Sequence, residues 1–143
     1  MKIQTTRFGE IEIPEDEVFD FPEGLLGLEG LRSYALRGNP KGGPFQWLQS
    51  LEDSSVAFVV VDPREFFIDY IVNISPEDLA SLKIADPAEG KVLVIVTVMP
   101  DPRDITVNLQ GPLILNLKQR LARQIVLSMP GITTHHKLVV SAP

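Results

Sequence analysis

Cysteine is absent from these 143 residues. Its absence excludes disulfides and thiol chemistry, removes the commonest structural zinc ligand and fits a reducing compartment. Histidine is almost absent too, since His135 and His136 are the only two and stand side by side near the C-terminus. Neighbours on an extended chain point to opposite faces, so the pair is poorly placed to share a metal, and no histidine elsewhere can serve a Ser–His arrangement. No serine stands in a Gly-x-Ser-x-Gly elbow. There is no basic-then-apolar leader, and no apolar run approaches the ~20 residues of a membrane-spanning helix. The expectation is a cytoplasmic, non-catalytic protein with no cofactor and no membrane contact.

Basic charge is in short supply. Thirteen Lys and Arg face nineteen Asp and Glu, a net charge of −6. The imbalance sits at the front: up to Gly30 eight acidic residues face two basic ones, and from Asp101 onward two face five. Nucleic-acid binding depends on Lys and Arg neutralising phosphates, so no direct nucleic-acid partner is expected. The acidic third is either a solvated surface or a negative field that repels nucleic acid and attracts a basic partner.

What the chain has is strands. Phe45 to Pro63, FQWLQSLEDSSVAFVVVDP, gives a strand with the only tryptophan, Trp47, then a turn at Glu52–Ser55 and an unbroken apolar strand, Val56 to Val61. A second such strand is Val92 to Val98. Around this sheet centre, alternation and turn residues predict a hairpin over 2–13, short strands at Val18–Phe21 and Ser33–Arg37, and a return to strand at Tyr70–Ile74. Further strands are predicted over Ile105–Gln110, Leu113–Leu117 and Ala122–Leu127, and Leu138, Val139 and Val140 are placed to dock as a last edge strand. Ser75-Pro76-Glu77-Asp78 predicts the single helix, with Ser75 as its cap and two turns at most. The class is all-β, an antiparallel β-barrel or closed sandwich of about nine short strands with one short helix. One domain is expected over residues 1–143, with 130–143 a loosely ordered tail. With so little helix, the outer faces of the apolar strands are expected to take part of their cover from another protein.

Two further stretches invite a functional reading. Pro22–Leu31, PEGLLGLEGL, has glycines at a spacing of three. It lacks the strand–helix context of a phosphate loop, so it is read as a turn whose Leu25, Leu26, Leu28 and Leu31 plug a barrel end. The loop after Pro63 is rich in aromatics: Arg64, Glu65, Phe66, Phe67, Ile68, Asp69, Tyr70. Aromatics among charges suit an interface anchor with a polar rim, while the plain alternative has Phe66 and Tyr70 capping the core. The candidate protein-binding residues are Arg64, Glu65, Phe66, Phe67 and Tyr70, with Asn108 and Gln110 on an outward polar face.

The motifs TRFGEIEI (6–13), FPEGLLGLE (21–29), FQWLQSLED (45–53), VAFVVVDP (56–63), FFIDY (66–70), VLVIVTV (92–98), TVNLQGPLILN (106–116) and RQIVL (123–127) come in an order and spacing that resemble the FliW family of flagellar assembly factors. The resemblance implies a small non-enzymatic β-barrel that binds flagellin and also CsrA, a dimeric RNA-binding repressor of flagellin translation, in exchange for one another. The free protein is expected to be a monomer. The sequence departs from the family pattern at Leu26, Leu28, Ile68 and Gly111. It does so again at 135–138, where the usual Arg-His-Pro-Leu is replaced and a partner contact through the tail is put in doubt. From the residues alone, a small β-barrel binding nucleic acid or a small ligand stays open as the alternative, as does a minor enzyme with convergent carboxylates.

Overall fold

A computed structural model describes residues 2–6, 8–38, 41–67, 69–128 and 131–138. Ile68, Val139 and Val140 therefore lie outside the described residues. The strands are β1 (Lys2–Thr5), β2 (Gly9–Glu12), β3 (Val18–Asp20), β4 (Ser33–Gly38), β5 (Gln46–Ser50), β6 (Ala57–Val61), β7 (Gly90–Thr97), β8 (Thr106–Val107), β9 (Leu113–Asn116), β10 (Leu121–Gln124) and β11 (His136–Lys137). The only α-helix among the described residues, α1, is Pro76–Ser81.

Seven of these strands close a ring. β3 to β7 pair in sequence, β7 also pairs with β9, β9 with β10, and β10 returns to β3. All these pairings are antiparallel except the last, which is a single parallel contact between Leu121 and Asp20. β8 and β11 extend the sheet outside the ring from β7. The pairing explains why β6 carries no polar position. In β5 and β6, Leu48 opposes Phe58, and in β4 and β5, Leu36 opposes Leu48. These pairs share the inner face with Tyr34, Val60, Leu93, Leu113, Leu115 and Ala122, and Phe19, Phe21 and Leu25 close the interior.

The outer faces of β6 and β7 are covered by the chain itself, which corrects the expectation that part of their cover comes from another protein. Val61, Val94 and Val96 lie under Phe66, Phe67 and Tyr70, with Val107 from β8 and Leu109 and Leu138 from just beyond β8 and β11. Val92 and Ile114 lie under Leu79, Leu82 and Ile84 from the helix and its exit, joined by Val72 and Ile74. The β1–β2 hairpin lies against β5. Phe8 stands edge-on to Trp47 with ring centroids 5.7 Å apart, and the Thr6 N–H donates to the Ser54 carbonyl at 2.9 Å. A few loops and one two-turn helix thus provide the second layer that extended helices provide in other folds.

Tyr70–Ile74 is extended but is not a strand. Tyr70, Val72 and Ile74 turn inward and Ile71, Asn73 and Ser75 outward, yet no backbone–backbone hydrogen bond joins residues 71–74 to another described residue. The alternation marks a buried face without a ladder. The helix starts as its residues require: the Ser75 hydroxyl accepts the Asp78 N–H, and Pro76 fills the first position.

Candidate interaction surface

The aromatic loop begins with Asp62, whose carboxylate accepts the Arg64 N–H at 2.9 Å and caps a single 3-10 turn, Pro63–Glu65. Arg64 then lies back on Asp62 as an exposed ion pair at 3.4 Å, and Glu65 is exposed beside it. Phe66 and Phe67 are half-buried. Phe66 tilts against Phe45 with centroids 6.0 Å apart, and Phe67 stands edge-on to His136 at 5.2 Å. Tyr70 donates its hydroxyl proton to the Leu109 carbonyl at 2.6 Å, and burial pushes its pKa up to about 12. The three aromatics form one continuous cover on the outer wall, with Arg64 and Glu65 at its wet margin.

Asn108 and Gln110 serve the neighbouring turn. Asn108 Oδ1 accepts the Gly111 N–H at 2.9 Å, and the Gln110 carbonyl accepts the Leu127 N–H at 2.8 Å. Both side chains are half-buried rather than displayed. The seven predicted residues therefore fall in two groups, the aromatic cover and this turn, joined by the Tyr70–Leu109 hydrogen bond.

Sequence reasoning missed a groove on the neighbouring side of the barrel. Of the four leucines expected to plug the barrel end, Leu25 is buried and Leu28 and Leu31 pack against it, while Leu26 turns outward and is 60% exposed. The turn that allows this needs glycine. Gly24 has φ +65°, and a Cβ there would meet the backbone of Glu29 at 2.6 Å. Leu26 faces Val126, 59% exposed, in a groove of about 350 Å³ also lined by Asn73, Asp78, Arg123 and Gln124. Arg123 bridges to Asp78 at 3.3 Å within it. No local periodicity signals this groove, because Leu26, Asn73 and Val126 meet only in the folded chain.

The acidic front of the sequence is folded as β2, with Glu10 and Glu12, and a 3-10 turn, Glu15–Glu17, without a basic residue in that turn. Among the described residues no three His, Cys, Asp or Glu side chains gather as a metal site. No helix among them is long and apolar enough to cross a membrane.

The fold and surface define a small closed barrel, wrapped in its own loops, whose outward features are a mixed groove with exposed Leu26 and Val126, an aromatic cover and an acidic flank. The chain belongs to the FliW family of flagellar assembly factors: the family model described as "FliW protein" matches residues 2–138. It is 45% identical over 136 residues to the flagellar assembly factor FliW of Geobacter sulfurreducens, covering 95% of this chain and 85% of that one. It is 42% identical over 139 residues to that of Natranaerobius thermophilus, covering 96% and 92%. A crystal structure of the flagellar assembly factor FliW superposes with a TM-score of 0.90 at 30% identity, covering 99% of both chains.

Proposed function

We propose that this chain is a non-enzymatic, protein-binding regulator of flagellar assembly that works in the cytoplasm, binding flagellin and antagonising the translational repressor CsrA by exchanging one partner for the other. Membership of the FliW family across residues 2–138 carries the reading. The surface is consistent with it. Exposed Leu26 and Val126 share a groove, as expected of a small barrel that acts by docking. The net charge of −6 makes the body itself a poor ligand for RNA.

The charge also supplies a mechanism for silencing CsrA. An acidic body docked beside an RNA site lowers phosphate affinity without occupying the site, through the field of Glu10, Glu12, Glu15, Asp16 and Glu17. Tagged chain, expressed in the cell it comes from, is expected to co-purify with flagellin and with CsrA in separate complexes. Recovery of neither, from a chain with a cooperative unfolding transition, contradicts the proposal.

A further inference from the structure

The β1–β2 hairpin pairs with no strand of the barrel. A two-stranded hairpin is marginal on its own in water, so its order depends on what it rests on. Lys2, Gln4, Glu10 and Glu12 are exposed, whereas Ile3 and Ile11, opposite one another in the ladder, are half-buried on the other face. The tip meets β5 and its turn through Phe8 on Trp47 and the Thr6 N–H on the Ser54 carbonyl. At the other end Ile13 is fully buried, and Arg37 Nη1 donates to the Glu12 carbonyl at 3.2 Å. Pro14 follows, its ring holding φ at −63°. The far end is a pivot and the tip a latch.

Under the tip lies an unspent polar group. Gln49 follows Trp47 on the same face of β5 and is fully buried. Its Nε2 donates to the carbonyls of Ser50 at 3.0 Å, Val56 at 3.2 Å and Ser54 at 3.4 Å, so Gln49 and Thr6 share the Ser54 oxygen. Its Oε1 takes no partner among the described residues. A buried acceptor without a donor is a stored cost that contact with water relieves. The turn itself is tied without the hairpin. Ser50 Oγ accepts the N–H groups of Glu52 and Asp53, the Ser50 N–H bonds to the Val56 carbonyl, and Gln49 keeps the Ser54 oxygen if Thr6 leaves it.

We infer that β1 and β2, with Thr6 and Phe8 at their tip, form a flap that closes on the outer face of β5 and opens as one body about Glu12 and Ile13 while the barrel stays folded. Opening breaks the Thr6–Ser54 bond and the Phe8–Trp47 contact. It admits water to Gln49 Oε1, which offsets part of that loss and leaves the two states close enough to exchange. Glu10 rides on the flap, so the acidic flank has two positions and the Trp47–Gln49 strip is covered in one and bare in the other. The motion belongs to the free chain and needs no partner.

Native-state amide hydrogen exchange of the full chain, at graded urea below the unfolding transition, tests the flap. The Thr6 amide is expected to exchange through an opening with less than about a third of the urea dependence shown by the Val60 amide, which waits for global unfolding. Ile11→Ala, opposite Ile3 in the ladder, is expected to speed Thr6 exchange at least about fivefold, because the flap opens whole. Leu117→Ala, exposed and outside the hairpin, should leave Thr6 within about twofold of the parent. If Ile11→Ala does not fold, Phe8→Ala, where the parent ring is 40% exposed, carries the same expectation. Equal urea dependence at Thr6 and Val60 makes the hairpin part of one cooperative barrel and overturns the flap. Thr6 exchange unchanged by Ile11→Ala, or by Phe8→Ala where that variant replaces it, shows residue-by-residue fraying and overturns it as well.

Discussion

The side-chain carboxamide of Gln124 joins Leu26 to a turn on another part of the chain. Its Oε1 accepts the Leu26 N–H at 2.9 Å, and its Nε2 donates to the Gly111 carbonyl at 3.0 Å. One half-buried residue therefore ties the Pro22–Leu31 loop to the bend before β9. Gln124→Ala is expected to lower unfolding free energy by about 1–2 kcal/mol, the net value of two hydrogen bonds. It should also speed hydrogen exchange at Leu26, read by urea titration and exchange mass spectrometry. Unchanged exchange at Leu26 contradicts the tie.

Two glycines of the same loop separate backbone strain from crowding. Both have positive φ, +65° at Gly24 and +85° at Gly27, but a Cβ at Gly24 collides with the Glu29 backbone while one at Gly27 meets nothing within 4 Å. Gly27→Ala is expected to cost about 1–2 kcal/mol for the left-handed conformation alone. Gly24→Ala should cost clearly more, because the backbone of Glu29 has to move. Equal losses in thermal unfolding would show that the loop relaxes freely at Gly24.

Tyr34 and Tyr70 set an upper pH limit. Burial raises both hydroxyls to about 12, with Glu52 adding to the shift at Tyr34. The folded chain therefore holds these protons at a pH where the unfolded chain, titrating near 10, has released them. Stability from this source is complete below pH 10 and falls as pH rises from about 10 to 12. Urea midpoints are expected to drop over that window, with a shallower drop in Tyr70→Phe. That variant also loses the bond to Leu109, at a cost of about 1 kcal/mol at neutral pH. An identical slope in parent and variant would remove Tyr70 from the linkage.

Neutralising Glu10, Glu12, Glu15, Asp16 and Glu17 to Gln or Asn is expected to leave CsrA binding within about threefold of the parent. RNA should regain access to CsrA in the complex, an effect that grows as salt is lowered because the field is screened. Gel shifts at two salt concentrations read it. RNA that stays excluded at both points to steric blocking instead.

How much of this was legible in the sequence depends on how local the cause is. The β5–β6 hairpin and the start of α1 follow from neighbouring residues: an unbroken apolar run before Asp62-Pro63, and Ser75 placed before Pro76 with acids behind it. Tyr70–Ile74 was legible only in part. Its alternation identifies the buried face, Tyr70, Val72 and Ile74, whereas a strand also needs a partner edge, which alternation does not report. The covering of β6 and β7 was legible only in pieces: Phe66 and Tyr70 could be read as capping the core and Leu138 as docking at an edge, but that they and Leu82 together cover these two strands depends on three separate stretches meeting in the fold. The aromatic loop was rightly singled out as unusual, and its aromatics rest on the wall with their edges half-exposed. Leu26 escaped notice because it sits in a run of leucines whose other members point inward.

The most direct test of partner exchange is a competition read by RNA. Labelled RNA carrying a CsrA site is mixed with CsrA, and this chain is added until the RNA is released. Flagellin is then titrated in. RNA should rebind CsrA in proportion to added flagellin, with the chain moving from one partner to the other. Release that flagellin does not reverse, or no release by the chain at any concentration, would contradict the exchange.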